Sequence, residues 1–288
     1  MNNILELCDV SYEYSPKTPF ATAALRHVDL SFKKGRITGI IGHTGSGKST
    51  LVQLLNGLLR PSAGRVLLDG VDIWEKPKEI SKVRFRVGLV MQYPEYQLFD
   101  ATVFSDIGFG PRNMKLSPEE IDARVREACA FVGIGEELFE KSPFDLSGGQ
   151  RRRVAIAGVV AMRPDVLILD EPAAGLDPRG RNEILSGLYQ YGRKSGTTVI
   201  LVSHSMEDMA HYCDDVVVLN DSRVYMTGTV GEVFSRAGEL EEIGLDIPEV
   251  SKIAAELSER GFDLSGNLYT VEGVRDAILS YLKGGVAP

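Results

Sequence analysis

The sequence predicts an α/β fold with a mixed sheet core, and two patterns along the chain indicate it. Compact runs rich in β-branched residues are separated by helical stretches, as a parallel sheet covered on both faces requires; they are 36–41, 87–91, 166–169, 197–202 and 215–219. Closer to the N-terminus, other runs mix or alternate apolar and polar residues and predict an antiparallel β layer; they are 4–14, 25–32 and 65–69.

Composition excludes several classes of protein. The 288 residues are 43% apolar and 25% charged, with a net charge of −8, so a disordered or collagen-like chain is excluded. No apolar run is long enough to span a bilayer, and we expect no secretory signal. Cys8, Cys129 and Cys213 are too few and too far apart for a disulfide framework or a metal site, which favours free thiols in a reducing cytosol. The acidic balance disfavours binding to nucleic acid.

Two helices have clear start signals. Ser117, Pro118 and Glu120 supply an N-cap, a first-turn proline and a capping glutamate, and Gly133 is placed to end that helix. A second helix is predicted over 150–162, with three arginines in its first turn. Cations are unfavourable at a helix N-terminus, so this broken rule indicates a functional site. The alternative is three solvated arginines on an exposed turn.

The pattern changes after about residue 230. Apolar residues at helical spacing predict two short amphipathic helices, one over 250–257 and one over 271–282 that ends at Gly284 and Gly285. We therefore expect two units: 1–230, with a helical subdomain at about 93–162, and a small C-terminal helical extension, 231–288.

The strongest motif is a complete phosphate loop, G-x-x-x-x-G-K-[ST], between an apolar strand and an apolar helical stretch over 51–59. It consists of Gly42, His43, Thr44, Gly45, Ser46, Gly47, Lys48, Ser49 and Thr50. The glycines let backbone N–H groups surround phosphate oxygens, and the following helix directs its positive end at the same anion. Lys48 adds a full charge, and the Ser49 hydroxyl is placed to ligate Mg²⁺. His43 stands at a position that the motif leaves free, so we assign it no chemistry.

An acidic pair follows the buried strand 166–169. A magnesium ion held by a loop hydroxyl needs a nearby carboxylate, and Asp170 is the candidate. Glu171, one residue further, is the candidate general base for an attacking water. Together with the phosphate loop, the pair predicts a P-loop NTPase, without separating kinases, GTPases, helicases and transport ATPases.

A second anion-binding loop, called the second cradle below, narrows the class of P-loop NTPase. Ser147, Gly148, Gly149 and Gln150 combine two glycines with a helix N-terminus, and one nucleotide does not need two cradles on one chain. The cradle makes sense if it serves a nucleotide held by another subunit. With these motifs in this order over residues 4–230, the sequence resembles the ATP-binding cassette (ABC) family of ATPases.

The resemblance implies several further roles. Gln92 matches the glutamine that senses magnesium and the attacking water, so Mg²⁺ is expected at Ser49, Asp170 and Gln92. Ser147 to Gln150 match the signature that contacts ATP across a head-to-tail dimer, and Asp177 lies at the same seam. His204 matches the switch histidine at the γ-phosphate. Tyr14, or else Tyr12, matches the aromatic residue that stacks on adenine.

A finer resemblance extends over nearly the whole chain. Segments 93–99, 109–113, 141–144 and 154–158 look like the ATPases of energy-coupling factor (ECF) transporters. Segments 14–16, 18–20 and 41–45 resemble the second of the two ATPase subunits in particular. That resemblance implies a sister ATPase, with a heterodimer favoured and a homodimer possible. It also implies a transmembrane coupling protein, whose helix would dock on about 92–112, and a separate membrane protein that captures a vitamin or metal ion.

The resemblance places the chain at the cytoplasmic face of the cell membrane and gives the extension a role in strengthening the dimer. One departure is Ala173, where the family has threonine, so local hydrogen bonding there differs.

Several alternatives stay open. The nearest is the ATPase of an ordinary ABC importer, which only the finer resemblance separates. A DNA-repair or chromosome ATPase would carry a long coiled coil, whereas about 100 residues without sustained heptads separate Lys48 from Ser147. A ribosome-binding protein would hold two cassettes, and a binding module without turnover would not need Glu171 and His204.

Overall fold

A computed structural model describes residues 2–283 and contains two sheets. The strands are β1 (Asn3–Tyr14), β2 (Thr22–Lys33), β3 (Ile37–Gly42), β4 (Ala63–Leu68), β5 (Val71–Asp72), β6 (Val87–Val90), β7 (Val166–Asp170), β8 (Thr198–Val202), β9 (Asp215–Asn220) and β10 (Arg223–Thr229). Four of them form an antiparallel sheet in the order β2-β1-β4-β5, and six form a second sheet in the order β10-β9-β3-β8-β7-β6. This is the mixed core with an N-terminal antiparallel layer that the sequence predicts.

The six-stranded sheet sets the position of the functional residues. Strands β3, β6, β7, β8 and β9 run parallel, and β10 pairs antiparallel with β9 at one edge. Val202, at the end of β8, pairs with Ile40 on one side and with Asp170 on the other. The carboxyl ends of β3, β7 and β8 therefore lie side by side, where ligand sites of parallel sheets form.

Helices cover the sheets and fill the segment between β6 and β7. They are α1 (Lys48–Leu55), α2 (Ile80–Arg86), α3 (Val103–Asn113), α4 (Pro118–Val132), α5 (Gly148–Val160), α6 (Pro178–Ser195), α7 (Met206–Tyr212), α8 (Val230–Phe234), α9 (Ala237–Glu242), α10 (Glu249–Glu259) and α11 (Val271–Lys283). No helix of the described chain is long and apolar enough to cross a membrane.

Local sequence explains where the predicted helices begin and end. Ser117 caps α4 through a capping box with Glu120, and Gly133 ends it in the left-handed conformation, with φ 70°. The helical stretch predicted over 51–59 was too long, because α1 ends at Leu55 and Gly57 turns the chain with φ 72°. The end predicted for the last helix at Gly284 and Gly285 lies outside the described residues.

Two large hydrophobic cores and one small one form among residues 2–283. In the tail, Val230, Phe234, Leu240 and Ile247 pack into the larger of the two large cores, which covers one face of the six-stranded sheet. A separate small core joins α10 and α11 and is built from Ala254, Leu264, Val274 and Ala277. The first part of the tail is thus integral to the larger core, and the boundary at 230/231 stays a prediction.

Candidate functional site

The phosphate loop joins β3 to α1 and depends on two glycines. Gly42 has φ 151°, and a Cβ there would lie 2.3 Å from the carbonyl oxygen of Leu219. Gly47 has φ 104°, and a Cβ there would lie 2.4 Å from the carbonyl oxygen of Ala24. Larger residues would collide with backbone at both positions, so these glycines let the loop wrap tightly. Thr44 and Gly45 are exposed at its tip.

Lys48 is the buried cation of this loop. Its side chain lies at the start of α1, and its Nζ donates to the carbonyl oxygens of Gly42 at 2.6 Å and His43 at 2.9 Å. Burial lowers the pKa of Lys48, and the nearby carboxylates of Glu171 and Asp170 oppose that shift. A buried ammonium group with only neutral carbonyl partners is suited to an incoming anion.

Three hydroxyl-bearing loop residues and one histidine have distinct environments. Ser49 is exposed, whereas the Ser46 Oγ is buried without a hydrogen-bond partner among the described residues. Thr50 Oγ1 lies 3.1 Å from the Tyr14 hydroxyl. The ring of His43, to which the motif assigns no role, donates a hydrogen bond to the carbonyl oxygen of Ile243, just after α9.

The aromatic candidates occupy the end of β1. Tyr14 is 40% exposed and reaches the phosphate loop through Thr50, and Tyr12 packs edge-on against Tyr14 at 4.9 Å between ring centroids. Tyr14 is therefore the one of the two whose hydroxyl touches the loop.

The acidic pair lies at the carboxyl end of β7. Burial raises the pKa of Asp170, while the Ser49 hydroxyl and Lys48 oppose this. Burial, together with the charge of Asp170, raises the pKa of Glu171 to about 7. Glu171 also takes the left-handed conformation, with φ 51°, which a non-glycine residue seldom adopts and which is often found at functional sites.

His204 lies beside Glu171. Its Nε2 is 3.4 Å from Glu171 Oε1, and its side chain is 59% exposed. Partial burial of the ring, with Lys48 close by, lowers the pKa of His204. Glu171 Oε1 has no hydrogen-bond partner in the described structure and is free to accept a proton.

The residues present fit a magnesium ion in their chemistry. Ser49 and Asp170 provide a hydroxyl and a carboxylate close together, and oxygen ligands of this kind are those that Mg²⁺ prefers. Gln92 is exposed two residues beyond β6, which neighbours β7, and the described residues show no hydrogen bond from it to either carboxylate. The structure thus brings Ser49 and Asp170 together, which are two of the three predicted magnesium ligands.

The second cradle starts α5. Ser147 accepts a hydrogen bond from the Gln150 backbone, and the Gln150 side chain accepts one from the Ser147 backbone, which is a complete capping box. A Cβ added at Gly148 or Gly149 would meet nothing within 4 Å. Asp177 is exposed and caps α6 by accepting from the Gly180 N–H at 2.7 Å.

Two positions were not singled out by the sequence. Asp208 is buried near Glu171, pairs with Arg181 at 2.6 and 3.2 Å, and helps to raise the pKa of Glu171. Glu95 pairs with the buried Arg152. The sequence predicted the three arginines in the first turn of a helix, but α5 begins at Gly148 and Arg152 is its fifth residue, so that prediction was wrong. The bidentate ion pair with Glu95 explains why the guanidinium is buried. The alternative of solvated arginines was wrong for Arg152.

Comparison with known proteins gives concordant matches. A model described as "ABC transporter" matches residues 25–174. The chain is 52% identical to the energy-coupling factor transporter ATP-binding protein EcfA2 of Caldanaerobacter subterraneus subsp. tengcongensis, with 96% of each chain covered. It is 53% identical to the protein of the same name from Symbiobacterium thermophilum, over 96% of this chain and 95% of that one.

Solved structures agree in fold. The structure of cbiO1 from Clostridium perfringens, described as part of the ABC transporter complex cbiONQ, matches with a TM-score of 0.74 and 41% identity. It covers 90% of this chain and 100% of that one. A dimeric ATP-binding cassette bound to ADP and phosphate matches with a TM-score of 0.71 and 27% identity, covering 79% and 99%.

Proposed function

Because this chain belongs to the ABC transporter family and, within it, to the ATP-binding proteins of energy-coupling factor transporters, we propose that it hydrolyses ATP in a dimer with a sister ATPase. In this proposal, hydrolysis drives uptake of a vitamin or metal ion through a membrane coupling protein and a substrate-capture protein. The chain would then act at the cytoplasmic face of the membrane.

The observation that carries the proposal is the arrangement at the carboxyl edge of the six-stranded sheet. Lys48, Asp170, Glu171 and His204 meet there around the open phosphate loop. A carboxylate with a pKa of about 7 and an unpartnered oxygen is matched to general base catalysis near neutral pH.

Each residue then has a defined task. The loop backbone and Lys48 bind the phosphates, and Tyr14 stacks on the adenine. Glu171 accepts the proton of the attacking water at Oε1, and His204 hydrogen-bonds the terminal phosphate. Magnesium, when bound, would be held by Ser49 and Asp170, with Gln92 as the third predicted ligand, and would neutralise phosphate charge.

The exposed signature loop completes a partner's site in this scheme. Gly148 and Gly149 present open backbone at the N-terminus of α5, where the helix dipole favours phosphate. Asp177 is exposed for the same seam. The extension 231–288 would strengthen the dimer; its exposed apolar side chains include Ile253, Leu279 and Leu282.

An apolar groove fits the helix of a coupling protein. The groove measures about 410 Å³ and lies between the segment after β6 and α3 on one side and α5 on the other. Phe99 and Phe109 form an edge-to-face pair there and are 59% and 43% exposed. Exposed aromatic residues in a groove are typical anchors for an amphipathic helix.

The test is a tagged pull-down from detergent-solubilised membranes of the host, with partners identified by mass spectrometry. Recovery of a second cassette ATPase with a small polytopic protein supports the proposal, and loss of that protein with Phe99→Glu places it in the groove. Phe20→Glu, at an 83% exposed phenylalanine on the β1–β2 loop, is the matched control.

Other outcomes overturn parts of this proposal. Recovery of paired permease subunits moves the chain to an ordinary importer. A chain found in the soluble fraction alone, or with DNA or ribosomes, overturns the transport role.

A further inference from the structure

Arg152 is the single arginine buried within residues 2–283. Its side chain is 4% exposed and projects from the fifth residue of α5, beyond the first turn in which the helix dipole acts most strongly. A desolvated guanidinium at this place needs compensating partners. The guanidinium group of Arg152 contacts two separate segments of the chain.

On one side, Arg152 forms a bidentate ion pair with Glu95. The two N–H···O distances are 3.0 and 2.8 Å, and the guanidinium lies 5.8 Å from the centre of the Tyr93 ring. Burial alone would raise the pKa of Glu95, but the hydrogen bonds from Arg152 hold it below the ordinary value. Both partners belong to the segment that follows Gln92 and forms one wall of the groove.

On the other side, the same guanidinium binds backbone. Its Nη1 donates to the carbonyl oxygen of Ala174 and approaches that of Pro172 at 3.5 Å. These two residues lie on the turn between Glu171 and Asp177. One side chain therefore connects the groove segment, the signature helix and the turn that leaves the acidic pair.

The anchor points are close in sequence to residues of the reaction. Glu95 is three residues after Gln92, Ala174 is three residues after Glu171, and Arg152 is five residues after Ser147. Backbone strain is found at two of these turns, since Tyr93 and Glu171 have φ 54° and 51°. Strained residues hold their conformation because surrounding contacts enforce it.

We propose that Arg152 is a positioning residue that holds the groove segment and the Glu171 turn in register with the signature helix, so that partner docking and ATP hydrolysis are coupled through it. This inference rests on the proposed function. Arg152 touches neither water nor phosphate in this scheme and acts through the segments that it binds.

The alternative is a purely structural ion pair, and two variants separate the roles. Arg152→Lys keeps the charge for Glu95, but its single ammonium cannot reproduce the planar fork that reaches both partners. The double variant Arg152→Met/Glu95→Gln removes both buried charges together, which often leaves stability unchanged. A structural role predicts a normal double variant, whereas a positioning role predicts a stable and slow one.

The experiment measures kcat and KM for MgATP, together with the melting temperature, on the purified complex of the chain with its sister ATPase and membrane partners. We expect both variants to lower kcat by about tenfold to a hundredfold, because small misplacements of catalytic groups have effects of this size. KM should stay within about threefold, since the phosphate loop is untouched. Arg153→Lys, at a neighbouring arginine paired with Glu183 at the surface, is the control and should keep kcat.

The outcomes distinguish the inference from the proposed function. A wild-type complex that hydrolyses ATP, with Arg152→Lys and the double variant equally fast, overturns the inference alone. A fall in kcat and melting temperature with Arg152→Lys that the double variant restores also overturns it. A wild-type complex without hydrolysis overturns the proposed function and the inference with it.

Discussion

Replacing Glu171 with glutamine should slow hydrolysis and stabilise the protein together. Glutamine keeps the size of the side chain and its left-handed backbone but cannot accept a proton. Since a positioned general base contributes about 10²–10⁴-fold, we expect kcat to fall by that factor while ATP still binds. In the nucleotide-free wild type, burial raises the pKa of Glu171 to about 7, so kcat/KM, which reports the free enzyme, should rise with pH, with about 10% of the base ionised at pH 6 and about 90% at pH 8.

The same substitution should stabilise the folded protein, although it slows hydrolysis. A carboxylic acid whose pKa is raised in the folded state binds its proton more tightly there, so its ionised form opposes folding. That cost begins near the ordinary pKa of 4.5, grows until about pH 7 and is complete above it. At about 1.36 kcal/mol per pH unit, reduced for partial solvent screening, it amounts to about 1–3 kcal/mol. Glutamine does not carry this cost, so the variant should melt a few degrees higher at pH 8.

Phosphate release and nucleotide-free melting curves at pH 5 and pH 8 measure the two effects. The control is Glu140→Gln at an exposed glutamate, which should change neither. Unchanged turnover with intact ATP binding would show that Glu171 is not the base. A lower melting temperature at pH 8 would contradict the argument from burial, and a gain of equal size at both pH values would show that it does not come from ionisation.

Substitutions at three further sites, with their controls, test the nucleotide contacts. Lys48→Met removes the buried ammonium, and we expect ATP affinity, measured with a fluorescent analogue, to fall about 10- to 100-fold, as losing a charged hydrogen bond costs about 1.5–3 kcal/mol; unchanged affinity would refute its role. Tyr14→Ala should weaken ATP binding about tenfold or more through lost stacking, worth about 1–3 kcal/mol, while Tyr14→Phe and Tyr12→Ala should change it little; the reverse ranking would identify Tyr12 as the stacking residue. Gly149→Ala should leave melting unchanged or raised, because its Cβ meets nothing, yet should reduce hydrolysis in the assembled dimer if the loop contacts a partner's ATP; full activity would refute that contact.

The sequence predicts the parts of the site whose signals are local. The phosphate loop is a contiguous motif, the start of α4 is a contiguous capping box, and apolar runs end at Asp170 and before His204. The relatives confirm the fold, the family and the ATPase class predicted from these motifs. Local patterns suffice here because each depends on neighbouring residues and backbone geometry.

Other features depend on residues that the sequence does not bring near each other. Arg152 and Glu95 are 57 positions apart, and Tyr14 meets Thr50 across 36, so neither pairing has a local signature. The long helix α6 was not predicted, since its buried side comprises just Ile184, Leu185, Leu188 and Gly192. Strand β10 was likewise not predicted, since its position depends on pairing with β9. In each case tertiary packing determines what propensity leaves undecided.

Ser147 and Asp177, which are assigned to a partner's nucleotide, also cap helices of this chain. Their presence alone therefore does not indicate a contact with that nucleotide. Ser147 caps α5 and Asp177 caps α6, so helix stability alone explains a serine and an aspartate at these positions. It does not explain Gly148 and Gly149, the first two residues of α5, since a Cβ would fit at both and neither has a positive φ. Two glycines that neither close packing nor a left-handed backbone requires are accounted for if another molecule approaches the bare backbone closely. The two glycines therefore indicate a second nucleotide at this loop more strongly than the serine does.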